Sequence, residues 1–152
     1  GTGEEEMVVQ PERPMDEVTA LGYKVPLVNV SQYFVQNEKE GEMLVIEGLA
    51  INGFNEVKQF IRLEAVLLDA NNEEIASKKF LCGNTVTLFQ LQALSEKDLE
   101  SLLTHKANIM IRNADLKPGD DVPFMVIFYD PPTDVVDFIL RPVGIKDPDE
   151  DE

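Results

Sequence analysis

The chain has 152 residues, 43% of them hydrophobic, and carries a formal net charge of −16. That length and apolar content are enough for one domain with its own hydrophobic core. So negative a chain is repelled by phosphate backbones, which excludes nucleic acid from the expected partners. No stretch approaches the roughly 18 apolar residues of a membrane-spanning helix, so contact with a membrane is expected only through a segment absent from this chain.

The negative charge is concentrated at the two ends of the chain. Residues 1–20 carry six acids, one base and two prolines, and this composition predicts an acidic flexible linker. Residues 146–152 carry five acids and one base, which predicts an acidic disordered tail. The pattern of apolar residues between them predicts one β-sandwich domain over residues 21–145.

Four β-strand patterns fill the first half of that domain, over residues 24–35, 43–51, 60–68 and 75–81. Asn52-Gly53 and Asn71-Asn72 follow the second and third patterns and predict hairpin turns there. In the third pattern, both faces become apolar towards Leu68, which predicts a central strand. Gly48, between Ile46 and Ala50 on one face of the second pattern, predicts a site where another backbone or side chain packs closely.

The second half carries one helix pattern among further strands. Ser95 and Asp98 precede leucines at helical spacing, and they predict a short helix over residues 96–104 that plugs one end of the sheets. Residues 107–111, 122–129 and 135–143 are predicted to be strands, and Pro118-Gly119 predicts a type II turn. About seven short strands with a single helix predict a mainly all-β fold, an antiparallel immunoglobulin-like β-sandwich.

Several short motifs resemble an uncharacterised bacterial domain family over roughly residues 40–130. They are Glu47-Gly48 with Asn52, Leu68-Asp69, and the runs 60–65 (FIRLEA), 82–84 (CGN) and 122–126 (VPFMV). The same pattern is similar to late-embryogenesis-abundant-like sandwiches. Members of the bacterial family typically carry a zinc ribbon, a linker and one transmembrane helix before this domain. The resemblance implies a sandwich on the extracytoplasmic face of the inner membrane, with residues 1–20 as its stalk.

Cys82 is the only cysteine and His105 the only histidine, so neither an internal disulfide nor a zinc cluster is expected. Cys82 has two interpretations: a small, partly buried residue in a turn, or a reactive thiol that forms an intermolecular disulfide. His105 follows the predicted helix, where a cation is favoured by the helix C-terminus. Its alternative interpretation is a general base or a metal ligand.

Asp69, Asn71 and Glu73 place oxygen ligands close together and are candidates for a Ca²⁺ site. The segment lacks the glycine and the distal glutamate of an EF-hand loop, and a hairpin turn explains the same residues. No phosphate-binding loop, nucleophile elbow or HExxH motif occurs in the chain. No catalytic residue, cofactor or firm metal site is therefore predicted.

The leading hypothesis is a non-enzymatic sandwich module of a membrane-anchored bacterial protein that binds another protein or gives structural support. The contact would use an exposed edge strand, over residues 23–35 or 135–143, because its unpaired backbone groups accept a further strand. The alternative is a soluble cytoplasmic sandwich that is stress-protective or holds a ligand. A third hypothesis is an enzyme with an unrecognised carboxylate or histidine site.

Overall fold

A computed structural model describes residues 17–152, with side chains from residue 21 onward. The described chain forms strands β1 to β6, which are Leu27–Asn37, Gly41–Ile51, Gln59–Leu68, Glu74–Leu81, Asp121–Tyr129 and Asp137–Lys146. It forms helices α1 to α4, which are Glu17–Lys24, Leu88–Ala93, Glu96–Leu103 and Lys106–Arg112. The predicted linker, residues 1–20, lies mostly outside the described residues.

The six strands form two antiparallel sheets of three strands each, in the orders β1-β2-β5 and β4-β3-β6. The sheets pack face to face, and the core between them contains Ile61, Leu63, Ala65 and Leu67 of the central strand β3. The predictions of a mainly β, two-sheet antiparallel sandwich and of a central third strand are therefore confirmed. Between the strands, Gly119 has φ +88°, and the amide of Asp120 donates to Lys117 O, which gives the predicted turn at Pro118-Gly119.

Asn52-Gly53 does not close a hairpin, contrary to the prediction, because β2 and β3 belong to different sheets. The buried Asn52 side chain instead donates to Glu56 O and Leu116 O, at 2.9 and 2.8 Å, and accepts from the amide of Phe54. These bonds hold the connection that carries the chain from one sheet to the other. The turn at Asn71-Asn72 does join two paired strands, β3 and β4, as predicted.

The strand predicted over residues 107–111 is wrong, because this segment lies within helix α4. Its β-branched residues suit a strand locally, but Ile109 is buried against Gly83, and the helix ends where Asn113 docks on β3. Tertiary contacts therefore override the local preference. The strand count is six because this seventh element is helical.

The helices cover the outer side of the β1-β2-β5 sheet and one sandwich edge. Helices α2 and α3 pack on this outer face through Leu91, Leu99 and Leu103. The residues of the sheet that they contact are Met43, Val45, Met125 and Ile127. Helix α3 is capped by Ser95 as predicted, although it lies on a sheet face and not at the end of the sandwich. Helix α1 packs against β6 and places Leu21 at the inter-sheet core. Only one helix was predicted, and the described residues form four.

Candidate partner-binding edge

Strand β1 lies at the edge of its sheet and directs alternate backbone groups away from it. Glu42 O of β2 accepts a hydrogen bond from the amide of Asp130, next to β5. The backbone groups of even-numbered residues in β2 are therefore hydrogen-bonded to β5, and those of odd-numbered residues to β1. Tyr33 and Val35 pair with the odd-numbered Val45 and Met43. The amides and carbonyls of Gln32, Phe34 and Gln36, which alternate with them along β1, therefore point outward.

The outward-facing stretch of β1 is exposed and carries an apolar side chain. Gln32 and Gln36 are exposed, and the Phe34 side chain is 61% exposed. All thirteen residues from Val25 to Asn37 are uncharged, whereas 28% of the whole chain is charged. Charged side chains on an edge normally prevent pairing with another strand. This edge lacks that protection.

The length of the open edge is set by a bulge at one end and a helix at the other. Asn29 has φ +54°, and the β1–β2 register shifts between Val28 and Ser31. Such a bulge bends the strand and interrupts further pairing. At the other end, the amide of Glu38 donates to Gln92 O, which joins the end of β1 to the α2 segment. The open edge is therefore the segment 32–36.

The edge of β6 is less suited than that of β1 to accept an added strand. Ile61 O accepts from the amide of Cys82, so odd-numbered residues of β3 face β4. Leu63 faces β4 for this reason, and its partner Pro142 directs its nitrogen outward. A proline in this position removes the donor that an added strand would need. Helix α1 packs on the same strand. Of the two predicted contact strands, β1 therefore has the open edge.

The remaining two edges face each other. Pro123 of β5 accepts a hydrogen bond from the amide of Gly83, and Ile127 O of the same edge accepts from Lys78 Nζ at 3.1 Å. Lys78 and Lys79 give β4 adjacent charges. Lysines on an edge strand disfavour the addition of another strand. Neither strand offers an edge comparable to that of β1.

Tyr33, next to Phe34, is oriented to the opposite, helix-covered side of the sheet. Its hydroxyl donates to Glu47 Oε2 at 3.2 Å. Burial and the negative charge of Glu47 raise the pKa of Tyr33 from 10.0 to about 12. The bond links β1 to β2 on one face, while Phe34 projects from the other face.

Cys82 and His105 lie in different environments. Cys82 is fully buried in the inter-sheet core, and this burial raises the pKa of its thiol. His105 is exposed at the start of α4, with no capping hydrogen bond from its side chain. Asn84, two residues after Cys82, donates from Nδ2 to His105 O at 3.1 Å, a contact with the backbone of His105 and not with its side chain.

Asp69, Asn71 and Glu73 lie at the β3–β4 turn. Asp69 Oδ1 accepts hydrogen bonds from the amides of Asn71 and Glu73, at 2.9 and 3.0 Å. This arrangement is an Asx turn that closes the hairpin. Among the side chains that the structure describes, from residue 21 onward, no group of three or more His, Cys, Asp or Glu residues is placed to hold a metal ion.

One family is found by comparison with known proteins. A family model described as "Protein of unknown function (DUF3426)" matches residues 25–141. The chain belongs to this family. The match covers the strands of both sheets up to Arg141 of β6. No curated protein matches the chain, and no solved structure does.

Among the described residues of this DUF3426 chain, none of the helices has both the length and the hydropathy that a membrane-spanning helix requires.

Four buried asparagines hold the helices and loops on the sheets, a role that the sequence analysis assigned to none of them. They are Asn37, Asn52, Asn84 and Asn113. Asn37 Nδ2 donates to Leu91 O and Leu94 O at the end of α2, and Asn84 Nδ2 donates to Leu103 O at the end of α3. The available sequence signal was an asparagine directly after an apolar strand or helix. The exposed edge had a second signal, the uncharged run between Lys24 and Glu38.

Proposed function

We propose that this domain is a protein-binding module whose edge, segment 32–36 of β1, takes an extended segment of a partner protein as an additional strand. The observation that carries the proposal is the outward backbone of Gln32, Phe34 and Gln36 beside an exposed phenylalanine. Main-chain hydrogen bonds would supply affinity, and alternate side chains would supply specificity. The proposed function of the domain is binding, without catalysis of a reaction.

Phe34 would select the side chain that comes opposite it. Residues directly opposite each other in an antiparallel pair have Cβ atoms about 4.5–5.5 Å apart. An aromatic or β-branched residue in the partner would therefore cover the exposed ring and remove it from water. Gln32 and Gln36 flank Phe34 on the same face of the strand, and they would favour polar or uncharged neighbours.

The charge of the domain favours a basic partner. The chain carries −16, and Glu38, Glu40 and Glu42 follow the open edge at the β1–β2 turn. Lysine or arginine residues beside the added strand would be attracted to this turn and would increase the association rate. A second copy of the chain carries the same net charge of −16 and would be repelled, so a basic partner is favoured over self-pairing.

The placement of the module is a separate part of the proposal and has the family resemblance as its only support. We place the domain outside the cytoplasm, attached to the inner membrane through a segment absent from this chain. An epitope after Glu152 in the parent protein, followed by cell fractionation and external protease on spheroplasts, tests it. Loss of a membrane-associated tag supports this placement. A soluble, protected tag would favour the free cytoplasmic alternative.

Binding is tested with a displayed library of random twelve-residue peptides selected on the 152-residue protein. Selection should enrich extended, alternating sequences with an aromatic or β-branched residue and flanking Lys or Arg. Phe34→Pro should abolish their binding, because it removes an outward donor and fills the edge with a ring. Ile111→Ala, which truncates a side chain that is 74% exposed on α4, is the control and should leave binding unchanged. Peptides that bind Phe34→Pro as tightly as the parent would refute the proposed edge.

A further inference from the structure

A cleft lies between strands β4 and β5. Strand β5 is the edge of the β1-β2-β5 sheet opposite to β1, so the cleft is separate from the proposed binding edge. The cleft measures about 270 Å³ and is bounded also by α3 and α4. Its apolar lining includes Leu103, Ile109, Met125 and Ile127. Pockets for drug-sized ligands measure roughly 300–1,000 Å³. This cleft therefore suits a smaller molecule with an apolar body.

Cations gather at this cleft although the chain is strongly acidic. Arg62, Lys78, Lys79 and Lys106 all line it, out of 13 basic residues in the chain. Lys78 is engaged, because its Nζ lies 2.9 Å from Glu100 Oε1 and donates to Ile127 O. Glu100 is compensated in turn by Lys78 and by the Tyr129 hydroxyl, which donates to it at 2.7 Å. Arg62, Lys79 and Lys106 remain available to an anion, and of these Arg62 and Lys106 are the two that lie near one shared carboxylate.

A carboxylate of the chain itself already lies between those two cations. Glu152 Oε1 is 4.0 Å from Arg62 Nη2, and Glu152 Oε2 is 3.6 Å from Lys106 Nζ. Both distances are longer than the 2.7–2.9 Å of a strong charge-assisted hydrogen bond, so the contact is easily exchanged. Arg62 and Lys106 are held apart by separate elements, β3 and α4, with the apolar lining next to them.

The segment before Glu152 is attached to the sandwich by shorter contacts. Lys58 Nζ lies 2.7 Å from Asp147 Oδ1, and Gln59 Nε2 donates to Asp147 O and Glu150 O. Residues 146–152, predicted as an acidic tail, therefore return to β3 and present Glu152 at the cleft. A ligand needs to displace only the side-chain carboxylate of Glu152, because the anchoring bonds are at Asp147 and Glu150.

We infer that the cleft between β4 and β5 binds a small amphiphilic carboxylate, with the head group between Arg62 and Lys106 and the aliphatic chain against Leu103, Ile109 and Met125. Glu152 stands in for the head group when the ligand is absent. Apolar burial would supply most of the affinity, and the two cations would select an anionic head over a neutral one.

Octanoate is the probe that tests this inference, added to the 152-residue protein and followed by methyl NMR shifts of Met125, Leu103 and Ile109. Saturable shifts at these methyls are expected. Octan-1-ol, which has the same chain without the charge, should bind about fivefold more weakly, the factor expected for two partly exposed charge contacts. Equal affinity for octanol would overturn the role of the cations, and shifts that never saturate would overturn the site.

Variants separate the head-group contacts from general charge effects. Glu152→Gln removes the competing carboxylate and should tighten octanoate binding about threefold. Arg62→Ala with Lys106→Ala should weaken it about fivefold. The matched control is Lys39→Ala with Lys97→Ala, which makes the same change of net charge at two exposed lysines outside the cleft. Equal weakening in both pairs would contradict a specific head-group site.

A bulky residue at the rim tests the location of the aliphatic chain. Thr104 is exposed and lines the cleft, so Thr104→Trp fills the entrance without overpacking the core. This variant should lose octanoate binding while keeping the circular dichroism spectrum of the parent. Retained binding in a folded Thr104→Trp protein would place the chain elsewhere and would refute the inference.

Discussion

Asn113 forms with Ile61 a reciprocal pair of hydrogen bonds of the kind that two paired strands exchange. The Ile61 amide donates to Asn113 Oδ1 at 2.9 Å, and Asn113 Nδ2 donates to Ile61 O at 3.0 Å and to Cys82 O at 3.0 Å. The preceding residue, Phe60, has φ +57°, and the β3–β6 register shifts here. One side chain thus satisfies the backbone at a bulge and fastens α4 to the sandwich.

Asn113→Ala should lower the free energy of unfolding by about 3 kcal/mol, because it leaves buried backbone groups of Ile61 and Cys82 without partners. Asn108→Ala is a matched control on the exposed side of the same helix and should change stability by less than about 0.5 kcal/mol. Urea unfolding measures both. Equal, small effects of the two substitutions would contradict the structural role of Asn113.

Proline substitutions test the backbone orientation of β1. Phe34→Pro removes an amide that points away from β2, so the loss of stability should be about 1 kcal/mol or less. Tyr33→Pro removes an amide that pairs with β2 and should cost about 3 kcal/mol or more. Thermal unfolding of the two variants measures the difference. The reverse order would mean that the outward residues are the odd-numbered ones.

Gly48→Ala should destabilise the domain by about 2 kcal/mol, because the added Cβ would lie 2.9 Å from Phe124 Cζ and 3.1 Å from Val28 O. Phe124→Leu combined with Gly48→Ala should recover part of this loss, since the ring is one of the two obstacles. Gly144→Ala is the control, because its Cβ would meet only Arg62 Cβ, at an ordinary 3.6 Å. A neutral Gly48→Ala would show that the Phe124 ring and the Val28 backbone, which belong to the same sheet as Gly48, move aside easily.

Stability should fall in alkaline solution partly through Tyr33. Its pKa is raised from 10.0 to about 12 in the folded protein, by burial and then by Glu47. Below pH 10 both states keep the phenol proton; above it the unfolded chain releases the proton first, so this stabilisation is lost as pH rises towards about 12. Urea unfolding between pH 9 and 11 should show a smaller decline for Tyr33→Phe than for the parent. An unchanged decline would contradict the pKa shift.

Cys82 should react with a thiol reagent only when the domain opens. The residue is fully buried, and burial raises the pKa of its thiol, so the reactive thiolate is disfavoured. The rate of modification should therefore rise with urea in parallel with unfolding. Rapid modification of the whole population in native buffer would instead support the reactive-thiol interpretation.

The strands were predictable because their apolar residues alternate or run continuously, as in β3, and this determines both the element and its buried face. Which strands pair with each other was not predictable. Asn52-Gly53 has the local composition of a hairpin turn, but Asn52 bonds to Leu116, which is distant in sequence. Helix α2 carries a sequence signal of its own, the capping box formed by Thr87 and Gln90.

The binding edge was predictable only in part. Composition suggested that 23–35 and 135–143 lie at edges, but closure of β6 depends on which way Pro142 points, and that follows from the register with β3. The exposure of Phe34 likewise depends on how far the opposite sheet extends. The cleft depends on Arg62, Lys106 and Glu152, which come from three separate parts of the chain.

Hydrogen exchange at the amides of β1 tests the central claim most directly. In the free protein, Gln32, Phe34 and Gln36 should exchange rapidly, while Tyr33 and Val35 should be protected by β2. Adding a peptide selected from the library should protect the three outward amides, with little change at Tyr33 and Val35. Protection of Gln32, Phe34 and Gln36 already in the free protein, or no change on binding, would contradict strand addition at this edge.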